Sequence, residues 1–280
     1  MKIDGRAIAD QILSGLQKRI SALKRKGVIP TLAVIQVGDD PGSAAYIRQK
    51  QKAAEYIGAK LIVSHQSSAI SLQTLQNISQ QYGDDQSVHG IIVQRPLPDA
   101  LRAPNILLSK DVDGFLPNSP YPVPVAEAVL KILESTFSAS THSRINALTT
   151  KHIVVIGRGE TAGKPIADTF IKMGCMISVI HSQTPNPDRI TKNADIVVSC
   201  VGKPNVVRRD NIKQGAILIS VGLWRDSDGK LHGDYEEDDI QEMASFYTPT
   251  PGGVGPVNVA CLMANLYRSC FALPESVQLS

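Results

Sequence analysis

Four side chains in the first 113 residues carry the means to move protons and to hold a flat heterocycle. Tyr46 and Lys50 lie four residues apart in SAAYIRQK (43–50), a spacing that puts both on one helix face. Gln94 ends an apolar run, and Asp113 is the second carboxylate of KDVDGF (110–115). A lysine beside a neutral glutamine in a partly dry cleft has a lowered pKa, because burial penalises the ammonium and the amide returns no charge; it can then shuttle protons. A carboxylate can take two hydrogen bonds from a planar, amidine-like edge. A tyrosine ring can stack on an extended aromatic ligand. Singly, each residue has an ordinary reading: a solvated helix lysine, a turn-forming Asp before Gly. The combination carries the chemistry.

A second group of candidates sits in KHIVVIGRGETAGKPIADTF (151–170). The run 153–156 reads as a buried parallel strand, glycines follow at 157, 159 and 163, and 162–173 reads as a helix. Strand, glycine turn and helix present free backbone N–H groups and a positive dipole end to a diphosphate. The G-x-G-x-x-x-G spacing is one residue longer than the usual dinucleotide fingerprint, but the next strand, 175–180, completes a β-α-β unit. An NAD site places Asp or Glu at the end of that strand, whereas this one runs into His181-Ser182-Gln183-Thr184. Arg158 in the turn supplies a guanidinium and Ser182 a hydroxyl, which suit a 2′-phosphate, so the nucleotide expected is NADP. His181 reads as a strand-end histidine satisfied by backbone hydrogen bonds.

Both groups need strands and helices to position them. A helix over 3–26 carries the stripe Ile8, Ile12, Leu16, Ile20, Leu23. Strands follow at 31–37, 61–64 and 88–94, alternating with helices to about Gly58, capped by Ser43, and over 72–82. Prolines break the chain at 96–98 and 120–124 before a short helix over 125–133. The Ser- and Thr-rich stretch 134–150 reads as an interdomain link. Later strands at 195–200 and 216–221 end in turns at Gly202 and Gly222, which should face the cofactor. Trp224 either covers the nucleotide or caps the domain edge. The loop TPTPGGVGP (248–256) is stiff yet closely approachable, and Pro256 suits the first turn of a final helix.

The expected fold is therefore α/β: two α/β domains, the second a Rossmann-type doubly wound parallel sheet, with a cleft between them. At 280 residues, 42% hydrophobic and 20% charged, the chain has the composition of a globular protein of two ordinary domains. A net charge of +3 argues against nucleic acid or an anionic membrane as partner. The amino terminus lacks a signal-peptide core, no segment approaches membrane-spanning length, and Cys175, Cys200, Cys261 and Cys270 form no C-x-x-C pair. No metal is expected, the thiols read as buried and reduced, and the cytoplasm is the default location.

SAAYIRQK, VQRPLP (93–98), KDVDGF, GRGETAGKP (157–165), HSQT (181–184) and PGGVGP (251–256) occur in an order that resembles the methylenetetrahydrofolate dehydrogenase/methenyltetrahydrofolate cyclohydrolase family across essentially the whole chain. The resemblance implies oxidation of 5,10-methylenetetrahydrofolate, usually with NADP, and hydrolysis of the methenyl product to 10-formyltetrahydrofolate. It implies Lys50 as acid/base for the hydrolysis, tuned and oriented by Gln94, with Tyr46 stacked on the folate and Asp113 anchoring the pterin. It implies that Gly157, Arg158, Gly159, Ser182 and Leu223 line the nucleotide, and that Gly252, Gly253 and Pro256 border the folate. It implies a folate-binding catalytic domain of 1–137 plus the C-terminal helix 251–280, an NADP-binding domain of 138–250, and a homodimer paired through the nucleotide domains.

This chain departs from the family pattern at several positions. Gly159 stands for Ser, Ala162 for Val, Pro122-Val123 for Cys-Thr, Arg95 for Leu and Leu116 for His; Ser220 and Trp224 stand for Asp and Asn, and Val257-Asn258 for Met-Thr. The acid/base set is intact. Two other readings stand beside the bifunctional enzyme: a diverged paralogue that binds folate or nucleotide with weak or single activity, and a shikimate-type dehydrogenase, against which DVDGF and PGGVGP speak.

Overall fold

The computed structural model of the protein describes residues 1–137 and 144–272. In chain order its elements begin with α1 (Gly5–Lys24), β1 (Thr31–Val37), α2 (Pro41–Ile57), β2 (Lys60–Gln66), α3 (Leu72–Asp84) and β3 (Gly90–Val93). A 3₁₀ turn at Leu108–Lys110 precedes α4 (Pro124–Thr136) and α5 (Arg144–Thr149). There follow β4 (His152–Ile156), α6 (Gly163–Lys172), β5 (Met176–Ile180), α7 (Pro187–Thr191), β6 (Ile196–Ser199) and β7 (Ile217–Ser220). The hairpin β8 (Trp224–Arg225) and β9 (Leu231–His232), then α8 (Glu237–Ile240), β10 (Phe246–Tyr247) and α9 (Val254–Ser269), complete the chain.

These elements pack as two compact units, Asp10–Pro124 with the chain from Val259 onward, and Met1–Ala9 with Val125–Asn258. In the first, β2-β1-β3 form a parallel sheet with β1 central and buried throughout. Alternate side chains of β1 serve opposite faces. Leu32 and Val34 meet α1, α2 and α9 through Leu16, Ile20, Ile47, Ala54 and Met263. Ala33, Ile35 and Val37 meet Leu75 of α3 and the chain beyond β3.

In the second unit five parallel strands run in the order β10-β7-β6-β4-β5. Counted along the chain this is 2-1-3-4-5 read from the β5 edge, a doubly wound arrangement whose switch point lies between β4 and β6. The register aligns Ile156 with Ile180 and with Ser199, and Ser199 with Ser220. Four strands therefore end level, and their turns leave from one edge of the sheet.

Two expectations change. Ser43 is not the cap of α2: Asp40 takes that position, accepting from the Ser43 backbone N–H at 2.6 Å, with Pro41 starting the helix. Asp and Ser cap equally well, and a proline at the first helical position decides between them. The stretch 134–150 is not wholly irregular, since α4 extends to Thr136 and Arg144–Thr149 is helical. Ser135 and Thr136 stay in α4 by donating back to the carbonyls of Ile132 and Leu133. By packing, the chain divides at Pro124–Val125 and within α9 at Asn258–Val259. The expected boundary at 138 and the segment 273–280 lie outside the described residues.

Candidate active site

Lys50 occupies the buried face of α2, one turn after Tyr46. Its Nζ donates to Gln94 Oε1 at 2.8 Å. Gln94 is fixed in turn: its backbone N–H extends the β1 ladder to Ile35 O at 2.9 Å, and its Nε2 donates to Arg95 O at 2.9 Å. The amide oxygen that faces Lys50 is therefore an acceptor with no charge. Burial holds the Lys50 amine below the ordinary lysine range, opposed by the carboxylate of Asp113. Burial pushes Asp113 upward, opposed by Lys50 and Arg95. Arg95, bonded through a cis peptide to Pro96, lays its guanidinium 5.4 Å from the centre of the Phe115 ring.

The loop carrying Asp113 is built to hold one shape. Gly114 turns at φ +69, where a Cβ would press on the carbonyls of Tyr121 and Pro122. The buried Asp111 accepts from Leu116 N at 3.0 Å, and its own carbonyl accepts from Gly114 N at 2.9 Å. Asn265 of α9 reaches in and donates to Val112 O at 2.9 Å and Pro122 O at 2.8 Å. Asn265 and Asp111 were not among the sequence candidates. An asparagine set among the apolar residues CLMANL of α9 was the available signal, because a buried amide must find partners.

At the level edge of the second sheet, a cavity of about 500 Å³ opens between the ends of β4 and β5. Gly157, Arg158, His181, Ser182, Asp188 and Arg208 are among its walls. Gly157 has φ +100, and a Cβ on it would meet the Cys200 carbonyl at 2.9 Å. A Cβ on Gly163 would collide with the Gly157 carbonyl, so the helix starts directly under the turn. Gly159 faces open space and is not sterically required; the serine usual in the family would fit there. The residues fit a dinucleotide: bare backbone at a helix start, a guanidinium and a hydroxyl around a roomy hollow. His181 Nδ1 accepts from Gln183 N at 3.3 Å, in line with its strand-end reading.

Leu223 follows the turn after β7, and its carbonyl would meet a Cβ on Gly202 at 2.9 Å. Trp224 is held within the β8–β9 hairpin, stacked on His232 at 4.6 Å and donating to Gly233 O at 2.7 Å. Gly252 and Gly253 belong to the second unit, where Gly252 turns at φ +105 and a Cβ on Gly253 would press on Pro249 and Thr248. Pro256 lies in the first turn of α9. Cys175 and Cys261 are buried, Cys200 and Cys270 only partly, and none of the four is in a disulfide. Arg208 was missed because VVRRDN reads as a solvated charge run; it pairs with Asp188 at 3.3 Å and Asp210 at 3.1 Å.

Residues 3–123 match the family model described as tetrahydrofolate dehydrogenase/cyclohydrolase, catalytic domain, and residues 126–272 match its NAD(P)-binding domain. A relative named bifunctional protein FolD, from Lactococcus lactis subsp. cremoris, is 37% identical over 279 residues, 95% of each chain. The crystal structure of the bifunctional enzyme FolD, a methylenetetrahydrofolate dehydrogenase/cyclohydrolase from Campylobacter jejuni, superposes with a TM-score of 0.88 at 34% identity, over 96% of this chain and 98% of that one. The Trypanosoma brucei FolD, solved with NADP cofactor and an inhibitor, gives 0.87 at 32% identity, over 97% and 99%.

Proposed function

The chain belongs to the tetrahydrofolate dehydrogenase/cyclohydrolase family, and from that premise we propose which of its side chains carry the family's two reactions. The protein oxidises 5,10-methylenetetrahydrofolate to the 5,10-methenyl cation with NADP, and hydrolyses that cation to 10-formyltetrahydrofolate. NADP held there would supply the hydride acceptor for the oxidation. Gly157 and Gly159 leave the turn after β4 bare for the diphosphate, Arg158 and Ser182 answer the 2′-phosphate, and Leu223 lines the same nucleotide.

In the hydrolysis Lys50, as the free amine, takes a proton from the water that adds to the methenyl carbon. It returns that proton to the ring nitrogen as the carbon–nitrogen bond opens, and the remaining hydroxyl proton of the adduct leaves to solvent as the formyl carbonyl forms. Gln94 orients the amine without charging it, Asp113 accepts hydrogen bonds from the pterin, and Tyr46 stacks on the ring. Gly252, Gly253 and Pro256 border the folate. The unit containing Tyr46, Lys50, Gln94 and Asp113 is the folate-binding part, and the unit with the five-stranded sheet is the NADP-binding part. The observation that carries this reading is the buried 2.8 Å contact of the Lys50 amine with a neutral amide.

Two further assignments go with it. The protein is a homodimer paired through β5, the sheet edge, where Met176 (57% exposed) and Val179 (37%) leave apolar surface beside open backbone groups. It works in the cytoplasm, where cysteines outside any disulfide stay reduced.

A spectroscopic assay with methylenetetrahydrofolate and each dinucleotide tests the function. Reduced cofactor should form with NADP, and its absence with both dinucleotides would reject the reading. Lys50→Met should abolish hydrolysis, retain hydride transfer and let the methenyl product accumulate. Equal loss of both activities would show the lysine misassigned.

A further inference from the structure

Asp234 lies between β9 and α8, is fully buried, and belongs to neither group of candidates above. Its carboxylate accepts four hydrogen bonds from the end of β6 and the turn beyond: Ser199 Oγ at 2.6 Å, Val201 N at 3.0 Å, Gly202 N at 2.7 Å and Lys203 N at 3.0 Å. Its backbone N–H donates to Ser220 Oγ at 2.8 Å, and that hydroxyl points to Gly222 O at 3.3 Å. Its carbonyl accepts from Val206 N at 2.9 Å and Val207 N at 3.0 Å. One residue thus grips the turn after β6 with its side chain and the end of β7 with its backbone. The fit leaves no slack, because a Cβ on Gly222 would collide with both the Asp234 carboxylate and Gly202 N.

Val201 and Val206 are walls of the cavity that also holds Arg158 and Ser182, and Leu223 follows Gly222 directly. We propose that Asp234 is a positioning residue for the dinucleotide: it locks the turns after β6 and β7 into one rigid wall of the nucleotide site without touching the ligand itself. The reason lies in the donors. Val201, Gly202 and Lys203 present successive backbone N–H groups at a strand end, where the sheet no longer supplies acceptors. An ionised carboxylate offers about four lone-pair positions and satisfies all of them from one point. An asparagine at that place keeps one oxygen and turns an NH₂ group against donors, so the turn must open.

The inference rests on the NADP-binding reading, and Asp234→Asn in the full chain tests it. Losing one or two hydrogen bonds to a charged group should weaken NADP binding by calorimetry, and raise its KM in the dehydrogenase assay, by about tenfold or more. The KM for methylenetetrahydrofolate and the cyclohydrolase rate, which needs no dinucleotide, should hold. Unchanged NADP affinity, or parallel loss of both activities in a folded protein, would overturn it. If Asp234→Asn does not fold, Ser199→Ala, which deletes one donor, decides the matter: a few-fold loss of NADP affinity supports the proposal and no loss refutes it. Wild-type protein that binds no NADP at all would instead sink the nucleotide reading itself.

Discussion

Replacing Gln94 by glutamate probes the acid/base pair with little change of shape. The amide oxygen 2.8 Å from Lys50 Nζ becomes a carboxylate oxygen. At an effective dielectric constant of about 20, unit charges at that separation attract by about 6 kcal/mol. Burying a further carboxylate in the same surroundings as Asp113 cancels much of this, through lost hydration and like-charge repulsion. The remainder is bounded by the difference between a charge-assisted and a neutral hydrogen bond, about 1–2 kcal/mol, which corresponds to about one pKa unit. The sign follows from which form is favoured. The new anion stabilises the ammonium, so the amine keeps its proton to higher pH, against the downward push that burial exerts in the native protein. At a fixed pH below that value the free-amine fraction falls about tenfold. In Gln94→Glu the cyclohydrolase pH–rate profile should therefore move its inflection upward by about one unit, with the rate at neutral pH about tenfold lower, while hydride transfer persists. Stopped-flow decay of the methenyl absorbance across pH measures it. An inflection that stays in place or moves down refutes the electrostatic account of Lys50.

Arg158→Ala should cost NADP about 1.5–3 kcal/mol of binding, a rise of about 10- to 150-fold in KM, and leave the KM for NAD nearly unchanged; steady-state kinetics with both dinucleotides check this. Gly163→Ala forces a methyl group onto the Gly157 carbonyl and should lower stability by about 1–3 kcal/mol. Gly159→Ser points into open space and should shift stability by less than about 0.5 kcal/mol in the same denaturant titration. Asn265→Ala strands the carbonyls of Val112 and Pro122 at about 1–3 kcal/mol each, and should raise the KM for methylenetetrahydrofolate through the Asp113 loop more than it changes the KM for NADP.

Much of this arrangement is legible in the residues. The β-branched run at 153–156 and the glycines after it locate strand, turn and helix, because each step has a local cause in side-chain shape and φ. Tyr46 and Lys50 share a face by helical arithmetic alone. The meeting of Lys50 with Gln94 is different: 44 residues separate them, and it takes β1 and β3 pairing side by side to bring it about. The family resemblance supplied that link before the structure did. Local rules failed where two residues competed for one role, as Asp40 and Ser43 did for the cap of α2. They also failed where a working residue sat inside a biased stretch. Asp234 in HGDYEEDD reads as one more solvated acid, and only the three-dimensional donors around it mark it out. The Ser- and Thr-rich 134–150 reads as a link because it lacks an apolar stripe, yet Ser135 and Thr136 carry α4 onward by back-bonding to the helix.

The packing of residues 1–9 has a bearing on how the protein folds. Ile3 donates to Tyr247 O at 2.8 Å, and Lys2 bridges to Tyr247 beside the last strand of the five-stranded sheet. Their partner stands far along the chain. In between, the chain from Asp10 to Pro124 belongs to the other unit. The three-stranded unit likewise waits for the last turns of α9 to close its core. Each unit therefore closes only through contacts of long sequence separation, which should make both slow to fold for their size.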